Sequence, residues 1–387
     1  MVSLQEQGGF LTTPYVLNAA FPGAGKGGAG ASKVEVPVHV IPQGSEPRWI
    51  ILGDSRAAAP VLRSWRPFKM STRLRWSAVV TAASRGMLHR LPGVERRQAA
   101  IDFSYWRKML PGFSDDWVPV VHVGNPSHTR KVIVFFVGPS RRFKAVAKVP
   151  LVIGASEAIL NEANILDQLR GASYLPECLI QDPVQGIAAQ SWLDGKPVAR
   201  KLTSAHMELL ARLAVPGGEV RVSRQRSSIA AALGRTDLPF DRTVLEHALD
   251  TLDYDEPLPE FVEHRDFAPW NLKRLGDGQS GAIDWEWAVF RGLPCQDIFR
   301  YFYIQDALFN GPGNVWETMN SHRLVQAYYR RFEIPPSAVP ALAMHYLLRV
   351  LAMDWGSGNT RLAHHAFRQI ASLLDQHRSP RPRSSTV

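Results

Sequence analysis

The stretch EHRDFAPWNLKR, Glu263 to Arg274, and the shorter GAIDWEWA, Gly281 to Ala288, decide how this chain is read. Asp266 and Asn271 stand five residues apart with Pro269 between them. A proline there makes the backbone a loop and not a regular helix. A loop can aim a carboxylate and a carboxamide from different directions into one small volume. Asp284 follows thirteen residues after Asn271, at the end of the apolar triplet Gly281-Ala282-Ile283. The connection LKRLGDGQSG contains Gly-Asp-Gly, which suits a hairpin turn that returns the strand to the same edge. Asp266, Asn271 and Asp284 are therefore expected to converge.

Phosphoryl transfer from a nucleotide needs such a set. One carboxylate orients the attacking hydroxyl, while an Asn and a second carboxylate suit Mg²⁺, a hard ion that prefers oxygen ligands. A cation should also grip the nucleotide phosphates. Lys148, in VAKV on an expected strand, is placed for that, and Glu162 on the following helix, NEANILDQL, is its expected partner.

The rest of the chain sets these residues in context. Its 387 residues suffice for two or three compact domains. Cys178 and Cys295 lie far apart with no metal-ligand spacing and are expected to be reduced, buried small residues. The N-terminus MVSLQEQGGF lacks a basic patch followed by an apolar run, and no apolar stretch reaches the ~20 residues of a membrane span. A cytoplasmic protein without a transmembrane segment is expected.

The net charge of +10 is regional. Between Arg56 and Lys108 twelve Lys or Arg face two acids, Glu95 and Asp102. SWRPFKMSTRLRWSAVV interleaves these cations with Trp and Phe, so an anionic partner is one expectation and a solvated helix face the other. FPGAGKGGAGASK imitates a phosphate-binding loop, but Ala20 and Gly27 stand where that loop needs Gly and Ser or Thr. It reads as a Gly-rich linker.

KVEVPVHVI and RWIILG read as strands and SRAAAPVLRSW as a short helix. From Val118, VPVVHVG, KVIVFFVG and FKAVAKV read as strands joined by turns, and SEAILNEANILDQLR as a helix. GIAAQSWL is a further apolar run before the turn DGKP. Beyond it SAHMELLARLAV, DRTVLEHALDTLD, SHRLVQAYYRRF, PALAMHYLLRVLAMDW and NTRLAHHAFRQIASLLDQH read as helices. The tail RSPRPRSSTV has the composition of a disordered segment. The expected regions are residues 1–112, an N-terminal extra region; 113–197, a small β lobe; 198–378, a helical lobe carrying the catalytic loop; and 379–387, a tail.

VAKV, NEANILDQL, QSWLDGKP, HRDFAPWN and AIDWEWA, in that order, resemble the aminoglycoside phosphotransferase and choline kinase group of protein-kinase-like enzymes. The resemblance implies an α+β, two-lobed fold: a small antiparallel β lobe with one helix and a large, mainly helical lobe, here with an extra basic N-terminal region. It implies Asp266 as the catalytic Asp, Asn271 and Asp284 as magnesium ligands, and Lys148 on the phosphates with Glu162 as its partner. Gln190, Ser191, Trp192 and Leu193 would be the strand that holds the adenine edge, and Asp297 a structural Asp. ATP or GTP with Mg²⁺ would be the cofactors. The acceptor would be a small molecule with a hydroxyl: a sugar, an amino alcohol or an aminoglycoside-like compound. A cationic acceptor calls for acids, which DYDEPLPEFVEH supplies in an otherwise basic chain. Arg265 and Trp270 replace residues that the family usually has as Gly, and both are expected to reshape the acceptor pocket. His264 reads as a brace for the loop. The rival expectation is a catalytically silent nucleotide-binding module recruited through its basic N-terminal region.

Overall fold

The computed structural model describes residues 11–23, 33–42, 46–65, 70–235, 237–309, 311, 313 and 315–378. The tail 379–387 and most of the Gly-rich stretch lie outside them. The chain divides into two compact units, Met1–Leu193 and Asp194–Val387.

The first unit runs α1 (Thr13–Ala20), β1 (Val34–Ile41), β2 (Trp49–Leu52), α2 (Ser55–Ser64), α3 (Met70–Ser84), β3 (Glu95–Ile101) and α4 (Ser104–Met109). It continues with β4 (Val118–Val123), β5 (Lys131–Val137), β6 (Phe143–Pro150), α5 (Ile153–Gln168), β7 (Cys178–Asp182) and β8 (Ile187–Gln190). All eight strands form one sheet in the order β3-β1-β2-β4-β5-β6-β8-β7. The expected division at residue 112 is therefore not a division of the sheet. Trp49, Ile50 and Ile51 of β2 pair antiparallel with His122, Val121 and Val120 of β4. Without β2, β4 would offer a row of unpaired N–H and C=O groups to solvent, a template for unwanted pairing. A strand boundary is legible in sequence, but the partner across it is not.

Period-two alternation loads both faces of this sheet. Val38, Val40, Ile50, Leu52, Val121, Val132, Val134 and Phe136 join one core with α1 and Trp106 of α4. Trp49, Ile51, Val120 and Val137 face the other way, against Ala58, Val61 and Leu62 of α2 and Ala82 and Ala83 of α3. Trp65 and Trp76, two of the aromatic residues among the N-terminal cations, serve this packing, while Phe68 lies outside the described residues. Trp76 donates its indole N–H to the Leu62 carbonyl at 2.8 Å, and its ring lies 4.8 Å from that of Trp65.

The second unit runs β9 (Lys196–Pro197), α6 (Ser204–Ala211), β10 (Ala214–Val220), α7 (Arg226–Gly234), α8 (Arg242–Asp250), β11 (Leu258–Glu263), β12 (Leu272–Arg274), β13 (Ser280–Ala282) and β14 (Val289–Gly292). It closes with α9 (Gln296–Phe309), α10 (Val315–Asn320), α11 (Arg323–Arg331), α12 (Ala338–Gly356) and α13 (Thr360–Arg378). The strands make two small sheets, β10-β11-β14 and β13-β12-β9. α12 is apolar nearly all round and buried along most of its length, as a central helix must be. Among the described residues, no helix is long and apolar enough to cross a membrane. Cys178 is half-buried and Cys295 buried, both as free thiols.

Three histidines sit in these interiors uncharged. Burial pulls His122 and His206 down to about 4 and His345 down to about 3. The unfolded chain takes up these protons near pH 6.5 and the folded chain refuses them. Their contribution to stability is complete above pH 6.5 and falls as pH drops towards 4. Burial lifts Asp297 and Asp354 to about 6, which opposes this loss between pH 6 and the ordinary carboxyl range. With three groups against two, the expected result is a net loss of stability of about 2 kcal/mol between pH 7 and 5.5. Urea titrations at the two pH values check it, and equal midpoints would refute it.

Candidate active site

Lys148 owes its position to strand alternation. Ala147 and Val149 of β6 point into the first core, so Lys148 between them points to the opposite face. Its register partner on β8 is Ala188, which packs beneath α5 with Ile159 and Ala163. Glu162 lies on that inner side of α5. The Lys148 ammonium meets the Glu162 carboxylate at 2.5 Å, with both side chains buried. Glu157, the other acid on the helix, is exposed. Gln190 ends β8, and the Ser191 hydroxyl accepts the Glu177 backbone N–H at 2.8 Å. Trp192 stacks on Phe143 with ring centroids 3.7 Å apart, and Leu193, nearly buried, closes the unit.

In the second unit the loop after β11 is held by one buried carboxylate. Asp297, at the start of α9, accepts the backbone N–H groups of His264 and Arg265, each at 2.8 Å. His264 braces the loop from within. Its Nδ1 accepts the Asp266 N–H at 3.2 Å, so Nε2 carries the proton it gives to the Ile283 carbonyl at 3.0 Å. That fixes a neutral tautomer and ties the Asp266 loop to the Asp284 strand. Arg265 has φ +65° and Asp284 φ +70°. This left-handed region favours glycine, so Arg265 and Asp284 both hold strained backbone at the site.

The hairpin turn also forms. β12 and β13 pair with Leu272 opposite Ala282, and the Ile283 N–H donates to the Asn271 carbonyl at 2.9 Å. Asp284 thus stands one residue beyond the pair that joins its strand to Asn271. The Asn271 amide nitrogen donates to the Asp266 carbonyl at 2.9 Å and to Asp266 Oδ2 at 2.7 Å. With Nδ2 committed to Asp266, Oδ1 is turned away from it.

The oxygens of Asn271 and Asp284 are the hard donors that magnesium prefers. Among the described residues no group of three or more His, Cys, Asp or Glu that could hold a metal ion is present.

Arg300 on α9 completes the geometry, and nothing in the motif spacing pointed to it. Its Nε and Nη2 donate to Asp266 Oδ1 at 3.1 and 2.7 Å. Burial pulls against the guanidinium charge, but Asp266 and Tyr346 outweigh it and hold the pKa above its ordinary value. With Asn271 on Oδ2, three donors hold the carboxylate in one orientation. A carboxylate offers about four acceptor positions, so room is left for one more donor.

Asp266 opens into a cavity of about 490 Å³ within this unit, whose wall includes Arg235, Arg265, Arg300, Arg349 and Trp287. Arg265 lies in the wall of this cavity and Trp270 does not. Glu263, buried, supports two of the arginines: Arg265 Nε at 3.1 Å and Arg349 Nη2 at 3.8 Å from Oε2. Arg300 and Arg349 could have been noticed in sequence as lone cations on apolar helices, since buried charges call for a partner or a function.

The sequence pattern of the phosphotransferase enzyme family, APH, matches residues 132–336, a little over half of the 387 residues. The chain belongs to that family. The match begins in β5, so β1 to β4 precede it. Similar solved structures include a thermostable mutant of aminoglycoside phosphotransferase APH(4)-Ia in its apo form, 14% identical. It covers 67% of this chain and 95% of its own with a TM-score of 0.47. Choline kinase LicA from Streptococcus pneumoniae is 14% identical, covers 64% of this chain and 92% of its own, and has a TM-score of 0.43. Macrolide 2'-phosphotransferase MphH from Brachybacterium faecium is 17% identical, covers 68% and 93%, and also has a TM-score of 0.43. No curated protein matches the chain in sequence.

Proposed function

We propose that this chain transfers the γ-phosphoryl group of ATP or GTP, with Mg²⁺, to a hydroxyl of a small molecule. The observation that carries the reading is the double hydrogen bond from Asn271 to Asp266. It joins the acceptor-side carboxylate to a carboxamide whose oxygen faces away from it. Asn271 Oδ1 and Asp284 would hold the magnesium, which when bound neutralises charge on the phosphates. Lys148, fixed by Glu162, would hold the α- and β-phosphates, and residues 190–193 the adenine edge. Asp266 would take the fourth hydrogen bond from the acceptor hydroxyl and receive its proton as the new O–P bond forms. Orientation and fixed charge would supply most of the acceleration, because the transferred group needs little covalent help.

The test is a magnesium titration of nucleotide consumption across a panel of hydroxylated acceptors. Asn271→Ala and Asp284→Ala should each raise the magnesium needed for half-maximal rate about tenfold or more. Unchanged magnesium dependence in both variants would remove the proposed ligands. Magnesium-dependent nucleotide binding without product from any acceptor would favour the silent module instead.

A further inference from the structure

We propose that the acceptor is an anion: a hydroxylated small molecule carrying a phosphate or carboxylate group, bound by the arginines around Asp266. This rests on the phosphotransferase reading and names the substrate class of the same site.

The wall of the cavity carries four guanidinium groups and one carboxylate, that of Asp266. The arginines come from separated elements: Arg235 beyond α7, Arg265 on the catalytic loop, Arg300 on α9 and Arg349 on α12. Convergence of four like charges is costly unless counter-charge is present or arrives with a ligand. The protein's own counter-charge is incomplete. Glu263 is shared between Arg265 and Arg349, and its 3.8 Å approach to Arg349 is too long for a hydrogen bond. Arg349 Nε and Nη2, and Arg300 Nη1, are buried with no acceptor in good hydrogen-bond geometry, although the Tyr346 hydroxyl lies beside Arg300. Buried donors of this kind are rare and call for an explanation. A phosphate or carboxylate in the cavity would supply the missing counter-charge to the four arginines of its wall, with charge-assisted, forked hydrogen bonds from the more accessible Arg235 and Arg265.

None of the acids of DYDEPLPEFVEH lines the cavity wall. In DYDEPLPEFVEH, Asp253 pairs with Arg226, Asp255 with Arg221 and Glu260 with Arg291. Asp354 on α12 lies near Arg300, yet it is largely buried and outside the cavity wall. The volume falls within the range of small-ligand sites, and Trp287 adds a flat apolar face suited to a sugar ring.

The experiment measures binding apart from turnover. Calorimetry of the full chain compares glucose 6-phosphate, glucuronate, glucose and glucosamine, with and without saturating AMP-PNP and magnesium. We expect at least one of the two anions to bind ten times more tightly than glucose or glucosamine, with an affinity that falls as salt rises. Which of them leads separates phosphate from carboxylate. Arg349→Gln should weaken that anion about tenfold or more. Arg235→Gln, at an exposed position that folding tolerates, should weaken it severalfold. Glucosamine binding as tightly as either anion would overturn the proposal, as would absence of anion binding or unaltered affinity in both variants. Anion binding abolished by AMP-PNP would also overturn it, because the arginines would then serve the nucleotide. Failure of the phosphotransferase reading looks different: no product forms from any acceptor, whatever these affinities are.

Discussion

Asp266→Asn is expected to lower nucleotide turnover by about a thousandfold, the scale of a positioned proton acceptor, while nucleotide affinity stays within a few-fold of wild type. An amide of the same shape can still occupy the loop, but it cannot take up a proton in the role proposed for Asp266. The substitution also removes the negative charge facing the buried Arg300 guanidinium, 2.7 Å away. A loss of stability of up to about 3–5 kcal/mol is expected with it, because that charge is left without its main compensation. Turnover is therefore measured at a temperature where circular dichroism shows the variant folded. Wild-type turnover in a folded Asp266→Asn protein would end the assignment.

Glu162→Gln gives the second large effect, and it shows first as stability. The Lys148–Glu162 pair is buried between β6 and α5 at 2.5 Å. Neutralising the carboxylate there should lower the unfolding free energy by about 3–5 kcal/mol. Replacing both partners, Lys148→Met with Glu162→Leu, removes the desolvation penalty together with the attraction, so stability returns to within about 1–2 kcal/mol of wild type. If Lys148 grips phosphates, the double variant stays folded and loses turnover by at least a hundredfold. Urea unfolding with steady-state rates on the same samples separates the roles. Full activity in the double variant would leave the pair a purely structural one.

Much of the candidate site's geometry was legible because its residues lie close in sequence. Asp266 and Asn271 belong to one loop, and the turn near Gly278 dictates that Asp284 returns beside Asn271. Local rules of turn chemistry and strand alternation are sufficient there. Lys148 and Glu162 were legible as a strand cation followed by a helix acid. Their contact also needed Ala147 and Val149 to point into the core, a consequence of the period-two strand. Helices such as α5, α12 and α13 were readable from spacing, since apolar periodicity reflects burial directly.

What the sequence determined by itself is the set of groups proposed to perform the chemistry, because loop and strand geometry act over a dozen residues or so. What only the tertiary structure decided is which groups surround them. The pairing of β2 with β4, which draws the N-terminal strands into the sheet, depends on a hydrogen-bonding edge that no local pattern specifies. The gathering of Arg235, Arg265, Arg300 and Arg349 around one carboxylate depends on the packing of α7, α9 and α12. Charge acts through space over a few ångströms, whereas sequence records only order along the chain, so a chain with acids and bases in near balance outside its N-terminal region can still enclose a strongly basic pocket.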